Sequence, residues 1–177
     1  MAHSRVFQFE RFKKSEFDEN DIELLNENSL EESQFPPIVE YWSDCDDIED
    51  IKEDFKDFVA YGLPEGMFEV NDEEMSITYI KRPDDYIKNY IDAIKTEANK
   101  LSFEEGKIST WKLLKTIENF GNMYMVYSSE LDYPRYVKNW ILEIAECEKI
   151  GAKFYLGGVL SYKYWLLTNI KYNAKIW

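Results

Sequence analysis

Residues 41–58, YWSDCDDIEDIKEDFKDF, set eight acidic residues against two lysines, yet the apolar residues among them recur at helical spacing. With Ile48 as origin and about 100° per residue, Ile51, Phe55, Phe58 and Val59 fall within an arc of about 100°. Such a helix must bury one stripe and leave the rest in water, so the chain needs an apolar surface to receive it. Ser43 or Asp44 is the expected N-cap, and the early carboxylates suit the positive end of the helix dipole. Asp47, Asp50, Asp54 and Asp57 line one flank of the stripe; Glu49, Lys52, Glu53 and Lys56 line the other. One edge is therefore purely acidic and the other mixed.

The receiving surface reads as a sheet. VFQFERF alternates as a strand does, with Phe7 and Phe9 on one side. Gly62 and Pro64 end the acidic helix, and GMFEV, NDEE and MSITYIKR then read as two strands joined by a four-residue acidic turn. A helix is expected to open at Pro83-Asp84-Asp85, with Ile87, Tyr90, Ile91, Ile94, Ala98 and Leu101 at helical spacing. STWKLLKTIENFG gives another, capped by Ser109 or Thr110 and stopped by Gly121. MYMVYSS reads as a buried strand. In DYPRYVKNWILEIAECEKIG, Pro134 is expected in the first helical turn and Gly151 past the end, with Val137, Trp140, Ile141, Ile144 and Cys147 or Glu148 facing the core. Gly157-Gly158 reads as a two-residue hairpin turn between KFYL and VLSYKYWLLTN, and IKYNAKIW as a last strand. Strands and helices mix without regular βα alternation. The expected fold is α+β, one domain over residues 1–177, with a largely antiparallel sheet and helices packed on one face. Residues 15–37, acidic and closed by Phe35-Pro36-Pro37, read as a surface insert or partly ordered segment in which Ile22 and Leu25 supply a turn or two of helix.

Charge is divided along the chain. Residues 1–74 hold 23 acids and 6 bases, net −17; the remainder holds 12 acids and 15 bases, net +3, which sums to −14. The acidic half repels nucleic acid and attracts cationic partners, although two halves packing acidic face to basic face would show the same pattern. No basic leader precedes an apolar stretch and no apolar run approaches bilayer length, so a soluble, cytoplasmic protein without membrane contact is expected. Cys45 and Cys147 are far apart, without a CxxC spacing, and read as reduced thiols.

Several chemistries are disfavoured. A calcium loop starting at Asp44 would have Ile48 at position 5, Glu49 at position 6 and Phe55 at position 12, where an oxygen ligand, a glycine and a glutamate belong. Asp44, Asp46 and Asp47 read as solvated cap residues rather than metal ligands, and no metal or cofactor is expected. The single histidine, His3, reads as a mobile terminal residue, which leaves little scope for histidine-based catalysis. Asp50-Ile51-Lys52 and Glu146-Cys147-Glu148 have nuclease-like spacings, but on helices residues two apart point in different directions. The protein is read as a non-enzyme. Tyr155, Tyr162, Tyr164, Trp165, Tyr172 and Trp177 interleave with Lys153, Lys163, Lys171 and Lys175, a mixture that single-strand binders use. In so acidic a protein these residues read instead as core aromatics with lysines protecting a sheet edge, and no direct nucleic-acid binding is expected.

What remains is a small acidic protein-binding module, for instance an inhibitor or immunity-type protein that engages a basic partner through Asp47, Asp50, Asp54 and Asp57, with Asp72, Glu73 and Glu74 nearby in sequence. The alternative is a small-molecule-binding domain in which some of the thirteen Tyr, eleven Phe and five Trp line a pocket for a cationic ligand. DNA mimicry is a minority version of the first reading. Four aspartates over roughly 15 Å of helix carry less than half the charge density of a duplex with one charge per roughly 1.7 Å.

Overall fold

A computed structural model of the 177-residue chain describes residues 2–26, 39–44, 47–101, 110–120, 124–131 and 133–164. The elements run β1 (Ala2–Glu10), β2 (Val39–Asp44), α1 (Ile48–Asp57), β3 (Phe68–Asn71), β4 (Ser76–Tyr79), α2 (Asp84–Asn99), α3 (Trp111–Asn119), β5 (Met125–Tyr127), β6 (Arg135–Tyr136), α4 (Val137–Cys147) and β7 (Lys153–Tyr164). The described strands form one sheet in the order β3-β4-β7-β1-β5-β6, with β2 also paired to β7. Only β1 and β5 run parallel; the other pairs are antiparallel, and the fold is α+β.

β7 is the spine. β1 pairs along its length on one side, so β4 and β2 must share the other, at Thr78↔Lys153 to Ser76↔Tyr155 and at Asp44↔Leu160 to Val39↔Tyr164. The expected Gly157-Gly158 hairpin is therefore wrong: both glycines lie inside one continuous strand. Opposite them the register with β1 jumps from Gln8↔Gly158 to Phe9↔Leu156, so Gly157 is an inserted bulge residue. The jump inverts the alternation, and the core residues of β7 are Phe154 and Leu156 before it but Val159 after it. Glycine is needed because a Cβ at Gly157 would lie 2.7 Å from Cζ of Phe17, which packs over the strand.

The alternation in β1 sends its side chains to two different environments. Phe7 and Phe9 enter the main core, where Phe7 stacks 4.4 Å from Phe58 and Phe9 lies 5.3 Å from Phe58 and 5.4 Å from Trp140. α1 and α4 thus pack on the same face of the sheet, α4 through Val137, Trp140, Ile141 and Ile144 as its spacing predicts. α2 adds Tyr86 to this core, and both Tyr86 and Tyr90 meet Phe120 at the end of α3. Ile91 is exposed rather than packed, and no α2 residue is fully buried. The buried Lys138 of α4 donates to the Ile117 carbonyl of α3, satisfying a last-turn acceptor. Its ammonium is held below the usual lysine range, mainly by burial.

Gln8 and Glu10 point to the opposite face, under residues 11–26. This segment forms two short 3-10 turns, Lys14–Glu16 and Asp18–Asn20, and buries Phe17, Ile22 and Leu25. The part of the expected surface insert that is described is thus a cover, fastened by Gln8; the remainder lies outside the described residues, as do Cys45, Asp46, Gly121, Trp165 and IKYNAKIW. Three more expectations need correction. Pro134 precedes α4 by three positions, because Arg135 and Tyr136 first extend the β5 ladder and Val137 donates to the Tyr124 carbonyl. Cys147 is exposed rather than in the core. His3 belongs to β1, opposite Lys163, and is not a free terminal residue. Gly151 does lie past α4, at φ 96° in the turn into β7.

Candidate functional site

Asp47 caps α1, its carboxylate accepting from the Glu49 amide at 2.8 Å. Ser43 and Asp44 cannot do so, since they belong to β2 opposite Ser161 and Leu160. α1 ends through a π turn, Phe58–Gly62, that keeps Phe58 buried and leaves Tyr61 73% exposed. Ile48, counted in the apolar stripe, is half exposed at the rim of a groove.

The four aspartates do not share one role. Asp54 is half-buried and accepts from Arg5 Nε at 2.6 Å, while Arg5 also donates to Ser161 Oγ of β7 at 3.0 Å. That carboxylate fastens the helix to the sheet. Asp50 and Asp57 are exposed and form no ion pair among the described residues. At 1.5 Å per residue they stand about 10 Å apart along the helix, roughly a sixth of the charge density of duplex DNA, so the mimic reading weakens further. Asp57 and Tyr61 also lie close to Tyr124, whose hydroxyl is pushed up mainly by burial and next by the charge of Asp57. Asp50, Asp57 and Tyr61 thus mark an acidic ridge ending in an exposed aromatic.

Asp72, Glu73 and Glu74 occupy the tip of the β3–β4 hairpin, as its acidic turn predicts. Glu74 and Met75 line a groove of about 340 Å³ whose other residues include Ile48 and Ile51 of α1; Asp72 and Glu73 do not line it. Glu74, however, is already engaged by Lys13 Nζ at 2.7 Å and Lys153 Nζ at 2.6 Å, with both ammonium groups near the Tyr155 ring. The hydrogen bond from Lys13, then that from Lys153, holds the Glu74 carboxyl at about 2 instead of 4.5. A carboxylate depressed in the folded state contributes stability above its unfolded value that is lost as pH falls toward the folded one. Glu74→Gln is therefore expected to flatten the decline of stability between about pH 4.5 and 2, measured by urea unfolding at successive pH values.

Two further depressions were not foreseen. The larger, about 730 Å³, lies where α2 begins, among Pro64, Lys81, Arg82, Asp84 and Tyr86. Its charges are mixed, with Arg82 Nη1 donating to Asp84 at 3.0 Å, and the Tyr86 hydroxyl at its edge is pushed up to about 12, chiefly by burial. The smaller, about 90 Å³, is walled by Phe9, Trp140 and Phe154 and rimmed by Glu10, Glu130, Glu143 and Glu148. Arg11 reaches across it to Glu148. The sequence signals for this site were the β1 alternation, which aims Phe9 into the core, and the α4 periodicity, which turns Trp140 and Glu148 the same way; Glu130, Glu143 and Glu148 come from segments more than a hundred residues downstream of Phe9.

Other sequence readings are placed as follows. Lys52 pairs with Glu49 at 3.1 Å on the mixed flank, away from Asp50, and Glu148 pairs with Arg11 rather than Glu146, so neither nuclease-like triplet forms a cluster. No group of three His, Cys, Asp or Glu among the described residues could hold a metal ion. The lysines interleaved with aromatics along β7 do not protect an edge, since β7 is interior; among the described strands the edges are β3, β6 and β2. No helix among the described residues is long and apolar enough to cross a membrane. No protein-family model matches the chain, and neither a curated protein nor a solved structure matches it.

Proposed function

We propose that the protein is a non-enzymatic binding module, of the inhibitor or immunity type, that captures a basic protein on the outer ridge of α1. The observation carrying this reading is the line Asp50, Asp57 and Tyr61, spaced i, i+7 and i+11 along α1 and its π turn, with both carboxylates exposed and unpaired among the described residues. Exposed tyrosine is a common anchor in protein interfaces, and flanking carboxylates steer a basic partner and speed its arrival. Asp54 is excluded from the contact set, because its half-buried carboxylate already accepts from Arg5 and fastens α1 to the sheet.

The ridge gives a clean separation of binding from folding. The double variant Asp50→Lys, Asp57→Lys is expected to weaken partner binding at least tenfold, with a steep loss at high salt in the parent protein, while stability falls by about 1 kcal/mol at most, since Asp50 lies in the first turn of α1 where a lysine opposes the helix dipole and Asp57 at its end where a lysine suits it. The partner would be isolated by pull-down from nuclease-treated lysate at low and high salt, then titrated against both proteins. Equal affinity for parent and variant would remove the ridge from the interface.

A further inference from the structure

We infer that the cavity between β1, α4 and β7 is a binding site for an alkylguanidinium, and that Arg11 is its tethered occupant. The walls are three aromatic rings in fixed mutual geometry: Trp140 stacks on Phe9 at 5.4 Å and meets Phe154 edge-on at 5.4 Å. All three are buried, so their faces cannot turn to follow a ligand. The guanidinium carbon of Arg11 sits 4.0 Å above the centre of the Phe154 ring, and its Nη2 donates to Glu148. A guanidinium placed over an aromatic face with a carboxylate beside it is how this cation is recognised from outside a protein as well as within it.

The occupant is not locked in. Arg11 follows the last residue of β1 in a bend, and its side chain keeps about a third of its surface exposed, as does that of Glu148. The remaining space, about 90 Å³, has the volume of about three waters, and displacement of Arg11 enlarges it by a guanidinium. The rim favours exchange of one cation for another. Glu130, Glu143 and Glu148 line the cavity, and beyond Arg11 the one cation paired to them among the described residues is Arg135, which holds Glu143 at 2.7 Å. Glu10, by contrast, is fully engaged by Gln8 and by the amide and hydroxyl of Ser129, and forms a fixed wall. An ammonium would satisfy Glu148 but lacks the broad, weakly hydrated plane that can lie against an aromatic ring while donating to a carboxylate, so a guanidinium on a short alkyl chain fits better. This inference does not depend on the α1 ridge, which contributes no residue to the cavity.

A tethered competitor multiplies apparent affinity by the fraction of time it leaves the site free, so removing one that fills the site about nine-tenths of the time restores about tenfold. With agmatine as probe and tryptophan fluorescence as readout, the parent protein is expected to bind weakly and Arg11→Ala at least tenfold more tightly, with Glu148→Gln in the Arg11→Ala background reversing the gain. Cadaverine, with an ammonium in place of the guanidinium, should bind Arg11→Ala several-fold more weakly. Arg11→Ala binding agmatine no better than the parent, or binding unaffected by Glu148→Gln, would reduce Arg11 to a structural pin. Should Arg11→Ala fail to fold, the exposed thiol of Cys147 on the cavity lip supplies a second readout in a Cys45→Ser protein that retains Arg11. A cationic thiosulfonate should react there faster than an anionic one of similar size, and agmatine should slow it; equal rates without protection would overturn the proposal.

Discussion

Phe9→Ala is expected to destabilise the protein by about 3–5 kcal/mol, a large part of the 5–15 kcal/mol that holds a typical domain folded. Phe9 is 2% exposed and is the ring that joins the two helices over the sheet: it faces Phe55 at 6.4 Å and Phe58 at 5.3 Å on the α1 side and Trp140 at 5.4 Å on the α4 side. Truncation therefore opens a cavity walled by rigid rings, which collapse poorly, so the loss should fall at the upper end for an aromatic deletion. Phe12, three residues on and 42% exposed, is the control, and its replacement by alanine should cost about 1 kcal/mol or less. Equilibrium urea unfolding of the three proteins measures the difference. A loss for Phe9→Ala no greater than for Phe12→Ala would mean that α1 and α4 are not joined through β1.

Gln8→Leu is expected to cost about 2–5 kcal/mol and to loosen one face of the sheet selectively. Gln8 is 0% exposed; its Nε2 donates to the Glu23 carbonyl at 2.8 Å and to Glu10 at 3.0 Å, and its Oε1 accepts from the Leu25 amide at 2.8 Å. Leucine fills similar volume but leaves the Glu23 carbonyl and the Leu25 amide without partners, each worth about 1–3 kcal/mol when buried. Glu10 keeps both bonds from Ser129 and should stay in place. The distinguishing signature is local: the Leu25 amide should exchange faster and the chain should be cleaved earlier within residues 11–26, while α4 amides keep their protection. Uniform acceleration across the protein would show that the cover and the main core unfold together.

Legibility from sequence followed the range of the interactions. The β1 alternation, the 68–79 hairpin and the core face of α4 depend on neighbours within one element, and periodicity revealed each of them. The Gly157-Gly158 turn was misread because a bulge and a hairpin draw on the same residue; what separates them is Phe17, some 140 positions away in the chain. Ser43 and Asp44 carry good capping side chains, and only the ladder with β7 takes them out of that role. The acidic flank was visible as a pattern, but what sets Asp54 apart from Asp50 and Asp57, which are unpaired among the described residues, is Arg5, 49 residues earlier. Periodicity turned Phe9, Trp140 and Glu148 toward the core, but their meeting with Arg11 was not legible for the same reason, since Arg11 and Glu148 are separated by 137 positions.

The placement of β1 beside β7 has a consequence for how the chain acquires its shape during synthesis. Arg5 and Ser161, bonded across those strands, are separated by 156 positions, so the middle of the sheet cannot close until nearly all of the described chain has left the ribosome. Until then β1 lacks one of its two neighbouring strands, and β4 and β2 lack the spine that both must join. The nascent chain therefore carries an apolar strand that waits longest for its partner, and that strand is where a chaperone would be needed.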